Sequence, residues 1–294
     1  MSDKYSTGVR FNHHMAFLET LSFIGEGVGA GFYLASIVTG SALLEVLGVL
    51  LVFGAVVSLL IHLGKPLRSW RSVSRLATSG VSRGSLMISI FLGLSISLLL
   101  ARYLGLPLSL QKPLAAGAAL FAVPVMLYAG LLLRSMKAIR LWRSYFVTLS
   151  FSAHSLASAA IVAALVCADS GAAPSLQAVA LVCLLAAAAF SALHLLSLER
   201  SAGVTASLER LLAGKLRPRF IVGAWGFGLI LPLLAIGLLP QASAAGVSAT
   251  LLLTVAVLSR FYGDFAYRNS IVLAGAYEPI MPAMPQRLLG ASFS

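Results

Sequence analysis

The sequence predicts an all-α, polytopic integral membrane protein with eight transmembrane helices packed as antiparallel bundles. Three observations predict this class. Of the 294 residues, 59% are hydrophobic and only 10% are charged, whereas soluble domains carry about 25% charged residues. Apolar stretches recur along the chain, each of ~18 residues or more and so long enough at ~1.5 Å rise per residue to cross ~30 Å of hydrocarbon. These stretches are continuously apolar and rich in Leu and Ala, without the alternation that marks the lipid-facing strands of a barrel.

The spans are expected near residues 15–39, 43–64, 84–106, 113–134, 145–168, 175–198, 219–240 and 243–262. The first carries Glu19 and Glu26, is long, and has no short apolar core before a small-residue cleavage site, so it reads as a retained helix rather than a signal peptide. The second stops where Gly64 and Pro66 enforce an exit. Hydropathy and polar breaks alone define the third and fourth. Brief breaks around Ser41, around Ser170 to Pro174, and around Pro240 to Gly246 make spans one and two, five and six, and seven and eight antiparallel hairpins.

Between spans six and seven, the segment SLERLLAGKL sets Leu208, Leu211 and Leu212 apart from its charges, as in a short helix lying at the interface. Lys215-Leu-Arg-Pro218 then provides a stop before span seven. The segment 263–294 carries aromatics and Pro279, Pro282 and Pro285. It is expected to cap the bundle or fold under a partner. No short-period repeat divides residues 1–294, which read as one membrane domain.

A net charge of +12 invites a nucleic-acid reading, but its distribution argues against one. All 21 basic residues except Arg102 and Lys112 fall on the face that also carries the termini. The positive-inside rule makes that face cytoplasmic and the protein a multi-pass component of the inner (cytoplasmic) membrane. Some of the same charge suits an acidic partner subunit, and Arg71, Arg75 and Arg260 are the residues expected to dock it. The two cysteines, Cys167 and Cys183, have no metal or redox spacing. The chain therefore encodes no iron-sulfur cluster of its own, and any such centre belongs to a partner.

Polar residues inside the spans narrow the function. Glu19, Ser22, Glu26, Gly29 or Ala30, and Tyr33 recur at helical spacing on span one. Ionised carboxylates facing lipid cost several kcal/mol, so this face is expected to point inward, with its carboxyls protonated, paired or wetted. His62 falls in the last turn of span two, on the same side as Glu19 and as His13 and His14. Lys65 and Arg68 follow it closely. A titratable imidazole beside cations at a helix end suits a redox lipid that loses protons as it loses electrons. His154, with Ser150 and Ser158, and His194, with Ser191 and Ser197, fit either interhelical hydrogen bonds or haem ligation. At best they form one pair, which disfavours a two-haem cytochrome. No serine elbow, phosphate-cradling loop or metalloprotease pattern is present.

The run Ser58-Leu-Leu-Ile-His62-Leu-Gly-Lys-Pro66-Leu-Arg68, continuing through Ser74-Arg75 to Ser82-Arg83, resembles the dimethyl sulfoxide reductase anchor (DmsC), NrfD and polysulfide-reductase group of membrane subunits. The runs Phe23-Ile-Gly-Glu26-Gly-Val-Gly-Ala-Gly31-Phe and Ser259-Arg260-Phe-Tyr262 agree with it. The resemblance implies an eight-helix anchor that binds quinol or quinone, either menaquinone or ubiquinone. It also implies a ferredoxin-like iron-sulfur subunit and a molybdopterin catalytic subunit as partners. The quinol-associated histidine carries over to His62, and the start of span one offers Asn12, His14 and Glu19. Glu26 departs from the uncharged residue common in that group. Two rival readings use the same residues: a proton-coupled transporter built on Glu26, and a haem-bearing quinol cytochrome.

Overall fold

The computed structural model describes residues 10–11, 17–62, 79–170, 172–242 and 248–278. Its helices are α1 (Phe17–Thr39), α2 (Ala42–His62), α3 (Gly80–Tyr103), α4 (Leu108–Ser135), α5 (Tyr145–Val166), α6 (Ala173–Leu196) and the short α7 (Ala202–Leu212). Two more complete the bundle: α8 (Arg219–Gln241) and α9 (Ala249–Ala274). All but α7 are long and apolar enough to cross a membrane. Side-chain oxygens cap several starts: Ser79 accepts from Ser82 N, Ser144 from Phe146 N, Ser201 from Val204 N and Ser248 from Leu251 N.

The sequential pairs α1 and α2, α3 and α4, α5 and α6, and α8 and α9 pack against each other, as their short connections require. The starts of α1, α3, α5 and α8 therefore share one face with the ends of α2, α4, α6 and α9. Helices α1 and α5 are the most enclosed of the eight spans, and α1 touches α2, α4, α5 and α9. One apolar core fills the α1 to α4 half around Tyr33, Phe91 and Val125. A second fills the other half around Leu184, Leu229 and Leu253. A third, around Trp142, Phe151 and Ile271, lies toward the termini-side ends, where Trp142 Nε1 donates to Ile271 O at 3.0 Å.

Glycine sets the closest helix crossings. A Cβ at Gly29 would lie 2.7 Å from Gly48 O, and one at Gly48 would lie 2.7 Å from Gly29 O, so α1 and α2 meet backbone to backbone. Helix α8 meets α9 similarly, with a Cβ at Gly228 falling 2.9 Å from Gly263 Cα. Residues Arg219–Ile230 of α8 run in π register before Leu231–Gly237 resume the α register.

Several expected boundaries differ from the structure; span three runs Gly80–Tyr103 and the last span starts at Ala249, and two further differences stand out. Helix α9 runs to Ala274, so residues 263–274, expected as part of a cap, continue the last span. Arg260, Asp264, Arg268 and Asn269 make this stretch look too polar to stay in a bilayer, but all four are buried against protein and bonded. Helix α4 starts at Leu108 rather than near 113, directly after Pro107 at its N-cap, and Pro113 lies inside the helix. Beyond α9, Ala276–Tyr277 pair antiparallel with Arg10–Phe11. The segment between Glu199 and Arg219 forms a helix as expected, α7.

Candidate functional site

The termini-side ends of α1 and α2 are joined directly. Ser58 Oγ, one turn before His62, donates to Leu18 O at 3.3 Å, next to Glu19. This sets Ser58, one turn before His62, beside the first turn of α1. The His62 side chain, together with Asn12, His14, Lys65, Arg68, Arg71 and Arg75, lies outside the described part of the structure. Glu19 is buried in that first turn, where its carbonyl accepts from Ser22 Oγ at 2.9 Å. Helix α9 closes the other flank: Asn269 Nδ2 donates to Thr20 Oγ1 at 3.2 Å, and Asn269 Oδ1 accepts from Arg219 Nη1 at 2.5 Å. The rings of Phe17 and Phe265 are 5.3 Å apart. Sequence reasoning passed over Thr20 and Asn269, whose pairing spans 249 positions.

Two turns deeper on the same face, Glu26 is 0% exposed, and neither carboxyl oxygen has a hydrogen-bond partner among the described residues. Glu19, Ser22, Glu26, Ala30 and Tyr33 are all buried, so the polar stripe of α1 does point inward. Arg268 and Tyr128 lie within electrostatic range of Glu26.

A second polar group joins α5, α6 and α9. Arg268 pairs with Asp264 one turn back, Nε to Oδ1 at 2.8 Å, and its other nitrogens donate to Phe23 O, Phe151 O and Ser155 Oγ. Its guanidinium ties α1, α5 and α9 at one level. His154 lies flat on Tyr267, centroids 4.2 Å apart, with Nε2 3.0 Å from Ser191 Oγ and Nδ1 3.5 Å from Asp264 Oδ1. Ser150 Oγ donates to Tyr267 OH at 2.7 Å. Asp264 and Arg268 were not singled out from sequence, although their i,i+4 spacing within an apolar stretch is a signal for an internal pair.

His194 Nε2 donates to Leu141 O at 2.9 Å, which ties α6 to the 3-10 turn Arg140–Trp142. It lies two residues from the end of α6 while His154 is nine residues into α5, a depth difference of about 10 Å by helix rise. The two histidines therefore do not make a matched pair of axial ligands. Among the described residues no group of three or more His, Cys, Asp or Glu side chains could hold a metal ion.

The docking role expected for Arg260 does not survive. Its side chain is 0% exposed, with Nε donating to Ser158 Oγ (3.1 Å), Nη1 to Gly228 O (2.5 Å) and Nη2 to His154 O (2.9 Å). A guanidinium enclosed in this way clamps α5, α8 and α9 and cannot reach a partner. Arg268 is equally buried, so neither belongs to the cationic face that sequence assigned them to.

At the opposite face, Glu45 on α2 pairs with Arg102 on α3. Tyr33, Ser36, Glu45, Arg102 and Ala115 line a cavity of about 180 Å³ there. On the termini side a cleft of about 360 Å³ lies between Arg140, Arg143, Ser144 and Tyr145 and the end of α6 at Ser197 to Glu199.

This geometry defines a multi-pass membrane protein with ionisable groups enclosed in its helical bundle and a cationic face at the helix ends. The model of one family, the DMSO reductase anchor subunit (DmsC), matches residues 29–272, and the chain belongs to that family. Its family role is that of a membrane anchor subunit of a DMSO-reductase-type complex. No curated protein matches the chain.

Proposed function

We propose that this chain binds quinol, either menaquinol or ubiquinol, at the termini-side ends of α1 and α2. There it exchanges electrons between the membrane pool and a ferredoxin-like iron-sulfur subunit whose partner is a molybdopterin catalytic subunit. The observation that carries the reading is the Ser58 Oγ to Leu18 O bond, which holds the His62 end of α2 against the Glu19 turn of α1. An imidazole acceptor and a carboxyl group near the same end of a helix pair are what a two-proton, two-electron donor needs. Asn12, His14, Glu26, Lys65 and Arg68 complete the proposed binding and proton-transfer set, with the cations stabilising charge that develops on the quinol oxygens. Arg71 and Arg75 are proposed to meet the acidic face of the iron-sulfur subunit, on a cytoplasmic face of the inner membrane.

The chain has no substrate chemistry of its own in this reading. The terminal reduction belongs to the catalytic subunit, and this chain feeds it electrons. His62→Ala in the assembled complex tests the reading. The expected result is a complex of normal composition that reduces its terminal acceptor from an artificial soluble donor but not from quinol. Unchanged quinol-dependent turnover overturns the site.

A further inference from the structure

A column of acidic and hydroxyl groups runs through the α1 to α4 half of the bundle, and the quinol site uses only Glu19 and Glu26 from it. Helix α1 supplies Glu19, Glu26 and Tyr33 at seven-residue intervals on one buried face, each step about 10 Å along the axis. At the level of Tyr33, the side chain of Ser95 on α3 is fully buried, and its Oγ has no hydrogen-bond partner among the described residues. Tyr33 OH donates to Ala115 O at 3.3 Å, and its ring meets Phe91 edge-on at 5.3 Å.

The column ends at Glu45, which is 3% exposed. One of its carboxyl oxygens is bonded to Arg102 and the other, Oε1, has no partner among the described residues. The cavity around this pair is lined by Tyr33 and Ser36 as well. The Arg102 side chain is 45% exposed, so the cavity communicates with the surface opposite the termini.

Carboxyl groups enclosed in a membrane bundle are costly to keep and tend to mark ion or proton routes. A purely structural role explains Glu45 through its ion pair with Arg102, but not Glu26, whose two oxygens bond to nothing described. We propose that this column is a proton path through the first half of the bundle. Hydronium at the cavity gives its proton to Glu45 and becomes water, the proton is passed by way of Tyr33 and Glu26 to Glu19, and Glu19 releases it to water on the termini side. Each transfer breaks one O–H bond as it forms the next, and no electron moves along the path. Steps of about 10 Å exceed one hydrogen bond, so water held on the oxygens of Glu26, Ser95 and Glu45 completes them. Arg102 holds the Glu45 carboxyl at the cavity wall and is a positioning residue.

This path goes beyond the quinol reading and does not depend on it. The test therefore uses neither quinol nor partner subunits. The purified full chain is reconstituted in liposomes that contain a pH-sensitive dye, and a potassium diffusion potential is imposed. The wild type is expected to take up protons faster than protein-free vesicles, and Glu26→Gln and Glu45→Gln to fall to the protein-free rate. Tyr33→Phe keeps the ring on Phe91 and removes only the hydroxyl, so its loss of flux separates transport from misfolding. Glu26→Asp, which restores a carboxyl, is expected to recover part of the flux. A wild type no faster than empty vesicles, or flux unchanged in Glu26→Gln or in Tyr33→Phe, overturns the path.

Discussion

Asp264 and Arg268 show how single residues of a hydrophobic chain earn their charges. Neither side chain is accessible, yet their pairing at 2.8 Å and the three further acceptors around Arg268 leave little of that charge unmet. A buried pair gives modest net stability, but removing one partner strands the other in a low-dielectric interior. Asp264→Asn should therefore cost about 3–5 kcal/mol, read as a lower midpoint of thermal or denaturant unfolding in detergent. A midpoint equal to wild type would mean that the Arg268 charge is compensated elsewhere. Arg260 differs because its donors meet only carbonyl and hydroxyl oxygens. Its role is to bind three helices together.

At the scale of elements, the last span shows what periodicity and hydropathy can and cannot read. Helix α9 looks finished near Arg260 if charge is scored against lipid, and it continues to Ala274 because its polar face is turned onto α1 and α5. Hydropathy scores residue types and carries no information about which neighbour a side chain meets. The α1 and α2 hairpin, by contrast, was readable: a short break at Ser41 and glycine-rich helices predict close antiparallel contact, and Gly29 and Gly48 realise it. Backbone atoms cannot yield as a side chain tip can, so Gly48→Val should cost at least ~2 kcal/mol. The same substitution at Gly54, where a Cβ meets nothing within 4 Å, should be tolerated. Comparable loss of monodisperse protein at both positions would show that the tight crossing is not the cause.

For the whole molecule, α1 and α5 form the centre and the two sets of helices close around them. The topology places Lys112 at the start of α4 and Arg143 before α5 on opposite faces. In oriented vesicles of a variant lacking Cys167 and Cys183, single cysteines at these positions should react with an impermeant maleimide from opposite sides. Labelling of both from one side would contradict the fold. The eight spans, the helix between the sixth and seventh, and the inward face of α1 were legible because lipid imposes length, continuity and an inside for carboxylates. The residue types of the proposed site, an imidazole at His62 and a carboxyl at Glu19, were legible as well, and proton chemistry is the role proposed for them. The join between Ser58 and Leu18, the Thr20, Asn269 and Arg219 chain, and the misplacement of Arg260 were not, since each depends on pairs far apart along the chain.

The sequence by itself determined that this protein lives in a membrane, how many times it can cross, and which face collects its loop cations. Those properties follow from transfer free energies that each segment carries with it. Only the tertiary structure decided which ionisable residues are enclosed and what they meet. It separates a paired Asp264 from a Glu26 without a hydrogen-bond partner among the described residues, and an internal Arg260 from the cations of the surface. The reason is that a charge in a bilayer is stabilised or stranded by its three-dimensional neighbours, and those neighbours come from helices more than a hundred residues away.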